Sequence, residues 1–457
     1  MNHRKICIFL FLPVLWVPTV GCGESQGDGG TATEDTAELC HDDADNDGDG
    51  STDCEDVQCT AFCHDTETEI LLEWRTTWVS SQQLTESNNL PPDPGLSGNT
   101  LRQVIQISVG GETARFTFSN EYGDDPLTIV AAAAANSEGG GDIDTDTHTP
   151  LTFAGESSVT IAKGKTVTSD PIEWTLTPFS NLAVTMLFDD APPTRVTGHP
   201  GSRTTSYLAE GDTVADESMT GSTTEHWYFL SQVDVETAPT TASVVTLGDS
   251  ITDGRGSTTN GNDRWPNDLS HRLLDNDTTS NTAVLNQGVG GNCLTRTCLG
   301  PSGESRFERD GLKPLGVKWV IILEGINDLN SGSSTDDLIE SFTAISDSAR
   351  EARVEVIGGT IMPCEGNSYF DEELETARQE INDWIRTTDK FDAVIDFDEI
   401  TRDPSSPTRL APEIDGGDGL HPSAAGYQIM ADAIDLTLFE MGADTNNFVG
   451  LRNPPAD

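Results

Sequence analysis

The chain predicts an α/β domain, with a three-layer parallel sheet over residues 242–441, preceded by an antiparallel β-sandwich domain over 68–238. Two patterns carry this. After Ala238 the apolar runs SVVTLG, AVLNQG, WVIILEG, VEVIGGTI and AVIDF alternate with longer segments of helical spacing, the mark of repeated βα units. Before it the runs are short, alternate apolar with polar residues, and have no amphipathic helix between them. At 457 residues the length allows two or three domains and at least one large core.

In chain order, Arg4 and Lys5 precede the apolar stretch ICIFLFLPVLWV, too short to span a bilayer and suited to an export signal over residues 1–21. The adjoining PTVGC resembles a bacterial lipobox, although Thr19 stands where that pattern prefers Leu. The resemblance implies cleavage before Cys22 and a lipid on its thiol; the alternative is an ordinary secretory signal. Either way the mature chain is exported, and the lipid would make it a membrane-anchored lipoprotein at the outer membrane, the periplasmic face or the cell surface.

Residues 22–39 are small, polar and acidic, and predict a flexible tether. The next segment, 40–63, holds Cys40, Cys54, Cys59 and Cys63, expected to form two bridges of open connectivity. Within it Asp45, Asp47, Asp49, Gly50, Asp53 and Asp56 place carboxylates on alternate residues around a turn-forming glycine, as a Ca²⁺ ion needs. The segment resembles a thrombospondin type 3 or EF-hand-like calcium loop, with Asp56 in place of a terminal Glu; a plain acidic linker is the alternative. Among the later cysteines, Cys293 and Cys298 are the easiest local pair, with Cys364 left over. Across the whole chain 25 Lys and Arg face 77 Asp and Glu, a net charge of −52. Such a surface repels phosphate backbones and argues against nucleic acid as a partner.

In the sandwich, Ile105, Ile107 and Val109 alternate with polar residues, Gly110 and Gly111 offer a turn, and Ala114, Phe116 and Phe118 alternate again, which predicts a hairpin. Trp74, Trp78 and Trp227 are expected in the core, with sugar stacking as the alternative. In the α/β domain Leu338, Phe342, Ile345 and Ala349 form one core-facing helical stripe, and Leu374, Ala377, Ile381 and Trp384 another.

Parallel sheets place ligands beyond the carboxyl ends of their strands, so the residues just past each strand carry the chemistry. The first strand ends in GDS, presenting Asp249 and Ser250; the second in NQGVGGN, rich in backbone donors; the third in EGIND, which delivers Asn327. Near the C-terminus Asp418 stands three residues before His421, a spacing that lets the carboxylate hold one ring nitrogen while the other faces outward, and Pro422 is placed to open the last helix. A serine needs a neighbouring base, and that base an orienting acid.

At these positions the chain resembles the SGNH, or GDSL, hydrolase family, whose four blocks occur in order as Gly248–Ser250, the glycine of GVGGN, Gly325–Asp328 and Asp418–His421. The resemblance implies Ser250 as nucleophile, His421 as general base and acid, and Asp418 as its orienter. It also implies an oxyanion hole from the Ser250 and Gly291 N–H groups and the Asn327 amide, with Asp249 bracing the turn. A softer likeness, through RWP at Arg264–Pro266 and the β-rich leader, is to secreted esterases grouped with xylan-active enzymes.

The expected function is an exported serine esterase that forms an acyl-serine and transfers it to water, with no cofactor in the chemistry and Ca²⁺ only at residues 45–56. Its expected substrate is a short-acyl, acetyl-type ester on a carbohydrate. The alternatives are a lipid or lysophospholipid esterase and a non-catalytic glycan-binding surface lipoprotein. A short C-terminal tail, 442–457, closes the chain.

Overall fold

The computed structural model describes residues 71–440. The signal, the Cys22 lipid site, the tether, the calcium loop with Asp45, Asp47, Asp49, Asp53 and Asp56, and the C-terminal tail lie outside the described residues. The β-rich and α/β parts belong to one compact unit that begins at Leu72.

Two large antiparallel sheets and a small three-stranded one, Trp227–Tyr228, Thr197–His199 and Gln83–Leu84, form the β-rich part. One runs in the order Glu73–Val79, Leu230–Thr237, Gly111–Ser119, Ile172–Leu176; the other carries Ser206–Ala209, Thr100–Gln106, Asn181–Phe188 and Leu127–Gly139 as neighbours. Their inward residues, including Leu101, Ile105, Phe116, Phe118, Val184, Phe188, Val233 and Val235, make one core. This is the expected sandwich. Trp78 and Trp227 are buried in it, ring edge to ring face at 5.0 Å, and Trp74 sits under the Arg115 guanidinium.

The hairpin expectation is overturned. Thr100–Gln106 pairs with Asn181–Phe188 and Ser206–Ala209, whereas Gly111–Ser119 pairs with strands of the opposite sheet. Alternation reports that each strand has one buried face, which is as true of two strands facing across a sandwich as of two strands side by side. The corner between them is fixed by distant residues. Ser108 N–H donates to Thr77 O at 3.0 Å, Val109 N–H to Thr77 Oγ1 at 2.9 Å, and Ile107 N–H to Ser180 O at 3.1 Å.

The α/β part is a five-stranded parallel sheet in the order Thr282–Gly288, Ala242–Gly248, Val317–Leu323, Glu355–Gly359, Ala393–Ile395. Successive residues serve opposite faces. Val245, Leu247, Val320 and Ile322 pack under the helices Thr335–Ala352 and Glu372–Thr387; Val244, Ile321 and Leu323 pack under Trp265–Leu274 and Ala424–Asp432. Leu338, Phe342, Ile345 and Ala349 are all buried; in the second stripe Leu374 and Ile381 are buried while Ala377 and Trp384 are half-buried. Pro422 does not open the last helix. Ser423 caps it, accepting from Gly426 N–H at 3.1 Å, and the helix starts at Ala424.

The two parts share bonds throughout their contact. Thr76 exchanges hydrogen bonds with Leu315, Arg75 Nε donates to Thr241 O at 2.7 Å, and Ser108 Oγ accepts from Val284 N–H at 2.9 Å. Arg309 donates to Gln82 O, Glu121 and Tyr122. Val79 joins a core of the α/β part, and Ala283 joins that of the sandwich.

Candidate active site

The strand Ala242–Gly248, second in the sheet, is buried throughout and ends at Gly248, where a Cβ would lie 2.1 Å from Thr252 Oγ1 and 2.9 Å from Leu323 O. Only a glycine fits between the strand end and the turn. Asp249 then caps the one-turn helix Ser250–Asp253, its Oδ1 accepting from Ile251 N–H at 2.9 Å. An acid therefore precedes the serine because the turn needs an acceptor there.

Ser250 Oγ lies 2.8 Å from His421 Nε2, and His421 Nδ1 lies 2.7 Å from Asp418 Oδ2. The carboxylate accepts the hydrogen bond of Nδ1–H and so holds the proton on that nitrogen, which leaves Nε2 as the acceptor for the serine hydroxyl. Asp418 is itself fixed, for its Oδ1 accepts from the N–H groups of Leu420 and His421 at 3.0 and 2.8 Å. Burial lowers the His421 pKa below the ordinary imidazole value, more than the Asp418 carboxylate raises it. Burial of Asp418 works the other way, but the His421 ring and backbone bonds outweigh it and hold that carboxyl below its usual range. At neutral pH the pair is thus an unprotonated base with a charged orienter.

Two of the three expected oxyanion donors have N–H groups to spare. The N–H groups of Ser250 and Gly291 donate to no protein acceptor among the described residues, whereas Gly288 N–H is used on Asn286 Oδ1 at 2.9 Å. Asn327 opens the helix Ile326–Asn330 behind Gly325, whose φ of 125° and closeness to Ile361 Cδ1 require glycine. Its amide is oriented at both ends: Nδ2 donates to Asp249 Oδ2 at 3.3 Å, and Oδ1 accepts from Tyr369 OH at 3.2 Å. Burial pushes the Asp249 carboxyl up to about 7, only partly offset by the Ile251 N–H bond. A carboxyl so easily protonated opposes a developing oxyanion less than a fixed carboxylate would.

Sequence reasoning missed the supports beneath this site. Arg306, fully buried, donates to Gly248 O at 3.0 Å, Gln287 O at 2.7 Å and Glu324 Oε1 at 3.4 Å, tying together the ends of the three strands that carry the site. Asp328 accepts from the N–H groups of Leu294 and Thr295 at 2.7 and 2.9 Å, and so holds the loop that leads from Gly291. That loop is closed by the Cys293–Cys298 disulfide, the local pair expected, and Cys364 is free and buried. The EGIND motif contained Glu324, but nothing in it marked Arg306 as its partner.

The sandwich reaches the nucleophile through His199. Its Nδ1 donates to Ser81 O at 3.0 Å and its Nε2 lies 2.9 Å from Asp253 Oδ1, with both side chains buried. Asp253 is the last residue of the helix that Ser250 begins. No motif in the sequence joins a histidine of the β region to that turn.

With this geometry in place, comparison with known proteins is decisive for the α/β part. Residues 246–429 match the model of the GDSL-like Lipase/Acylhydrolase family, a span that contains Ser250, Gly291, Asn327, Asp418 and His421. This part is a GDSL-like acylhydrolase domain. The protein is accordingly a carboxylic ester hydrolase. Among curated proteins no relative matches. Solved structures similar to the GDSL-like part include a putative lipolytic protein of the G-D-S-L family from Desulfitobacterium hafniense, at 21% identity over 42% of this chain and 97% of that one, with a TM-score of 0.34. A carbohydrate acetylesterase family member from Sinorhizobium meliloti is 14% identical over 43% of this chain and 97% of that one, with a TM-score of 0.35. The aryl esterase of M. smegmatis is 16% identical over 42% and 95%, with a TM-score of 0.35.

Proposed function

We propose that this GDSL-like domain is an exported serine esterase acting on short-acyl esters of carbohydrates. The observation that carries the reading is the relay from Ser250 Oγ to His421 Nε2 at 2.8 Å and from His421 Nδ1 to Asp418 at 2.7 Å. In the first half-reaction His421 takes the serine proton as Oγ attacks the ester carbonyl, and the alkoxide forms against the Ser250 and Gly291 N–H groups and the Asn327 amide. The imidazolium then protonates the leaving alcohol. In the second half-reaction His421 deprotonates a water that cleaves the acyl-serine.

A small acyl group is supported by Leu299, which lies over Gly291: a Cβ on that glycine would sit 2.7 Å from Leu299 Cδ1. The disulfide-closed loop holds Leu299 there, and Asn292 Nδ2 donates to its carbonyl at 2.9 Å. The test is hydrolysis of p-nitrophenyl esters of graded chain length beside acetate release from acetylated xylan, with Ser250→Ala as control. Rates that fall with chain length, and vanish in the variant, are expected. Undiminished turnover by Ser250→Ala overturns the assignment.

Export and a lipid at Cys22 belong to the same proposal, supported by the Cys293–Cys298 bridge, since such bonds persist in oxidising compartments. Cys22→Ser should move the protein from membrane to aqueous fractions. Ca²⁺ is proposed at Asp45, Asp47, Asp49, Asp53 and Asp56; calorimetry without Ca²⁺ uptake by the full chain excludes it.

A further inference from the structure

Two cations beside the catalytic histidine have no partner among the described residues. Most described arginines of this strongly acidic chain bond to a carboxylate, among them Arg115, Arg306, Arg309, Arg378 and Arg386. Arg203 and Arg255 form no side-chain hydrogen bond or ion pair among the described residues, and Arg203 Nε is buried without an acceptor. Their backbones are fixed at the site. Arg255 comes just after the nucleophile helix, its N–H donating to Ser250 O at 2.8 Å and its carbonyl accepting from Tyr427 OH at 2.7 Å. The turn it belongs to packs on the Pro422 carbonyl beside His421. Arg203 belongs to the segment just after His199; its carbonyl accepts from Asn260 N–H at 2.8 Å, which clips that segment to the loop beyond the nucleophile turn. Arg255 is exposed and Arg203 half-buried; both charges work to lower the His421 pKa, and that of Arg255 works to lower that of Tyr369.

For a neutral ester this arrangement is a handicap. His421 must become imidazolium in the transition state, and two guanidiniums with no protein partner among the described residues oppose that charge. An anion bound between them removes the opposition. The leaving oxygen must lie against His421 Nε2 to receive its proton, so groups flanking this histidine meet the alcohol side of the ester and not the acyl side.

We propose that Arg203 and Arg255 form a carboxylate subsite for the alcohol portion of the substrate, making the preferred substrate an acylated acidic sugar, a uronide, and not a neutral one. The proposal rests on the esterase assignment above and adds its substrate class. It also explains how an anionic substrate is held by a protein whose net charge of −52 repels it.

The test compares acetate release from an O-acetylated methyl uronide with release from the same sugar carrying a carboxamide in place of the carboxylate. At low ionic strength the uronide should be favoured about tenfold in kcat/KM, an advantage that salt erodes. Arg203→Gln and Arg255→Gln should each cut the ratio of the two substrates by roughly fivefold, with Arg→Lys variants restoring part of it. A ratio near one in the wild type, or one that neither variant changes, overturns the subsite. p-Nitrophenyl hemisuccinate, with its carboxylate on the acyl side, should show no advantage over p-nitrophenyl butyrate; preference there instead overturns the placement. Hydrolysis of p-nitrophenyl acetate with no release from either sugar refutes the sugar substrate alone. A protein inert on every ester refutes the esterase reading itself.

Discussion

His199→Ala tests whether the sandwich is part of the catalytic apparatus. The His199 and Asp253 side chains are 6% and 3% exposed, and the second Asp253 oxygen is already buried without a donor. Removing the ring therefore strands a carboxylate with no partner at either oxygen. Breaking a buried pair from one side costs about 3 to 5 kcal/mol. At ~2 °C per kcal/mol for a unit of this size, melting should fall by roughly 6 to 10 °C. Because Asp253 ends the single turn that Ser250 begins, kcat should fall as well, by ~10- to 100-fold if the hydroxyl is displaced by a fraction of an ångström. Adding Asp253→Asn to the variant removes the stranded charge, so the double variant should be more stable than the sum of the single losses predicts. Urea unfolding of the four proteins, with kcat on p-nitrophenyl acetate, measures both effects. A His199→Ala protein that melts and turns over like the wild type, or strict additivity in the cycle, refutes the reasoning.

Asn327→Ala removes one of the three proposed oxyanion donors and should lower kcat by ~10²- to 10³-fold with little change in KM, as read from steady-state kinetics; an unchanged kcat excludes the amide from the hole. The acid limb of kcat/KM should lie below the ordinary imidazole pKa, because burial lowers that of His421 and activity needs its neutral form, so the rate rises with pH through the lowered value. A limb above pH ~6.5 contradicts this. Arg306→Met should destabilise the fold strongly in thermal melts, since Glu324 and Asp310 lose their shared buried partner; a melt equal to the wild type's removes Arg306 as a brace. Arg255→Gln should shift the acid limb of the pH profile upward, because a positive charge that opposes His421 protonation is gone; an unmoved limb excludes that influence.

The layers of the α/β part, its two core stripes and the four blocks that hold Ser250, Gly291, Asn327, Asp418 and His421 can all be read along the chain. These were legible because each depends on local spacing: strands with both faces buried read as continuous apolar runs, and turns at their ends are built from residues next to one another. The Asp418–His421 bond could be read at three residues' separation for the same reason. Strand partnership in the sandwich could not, because alternation marks a buried face without saying which sheet it faces, and the corner at Ile107–Gly110 is set by Thr77 and Ser180. Long-range packing settles the rest: that Arg306 ties three strand ends and that His199 of the β region meets Asp253 of the nucleophile helix. Both join residues tens to hundreds of positions apart, where a charged side chain in the sequence looks like any solvated one until folding buries it beside its partner.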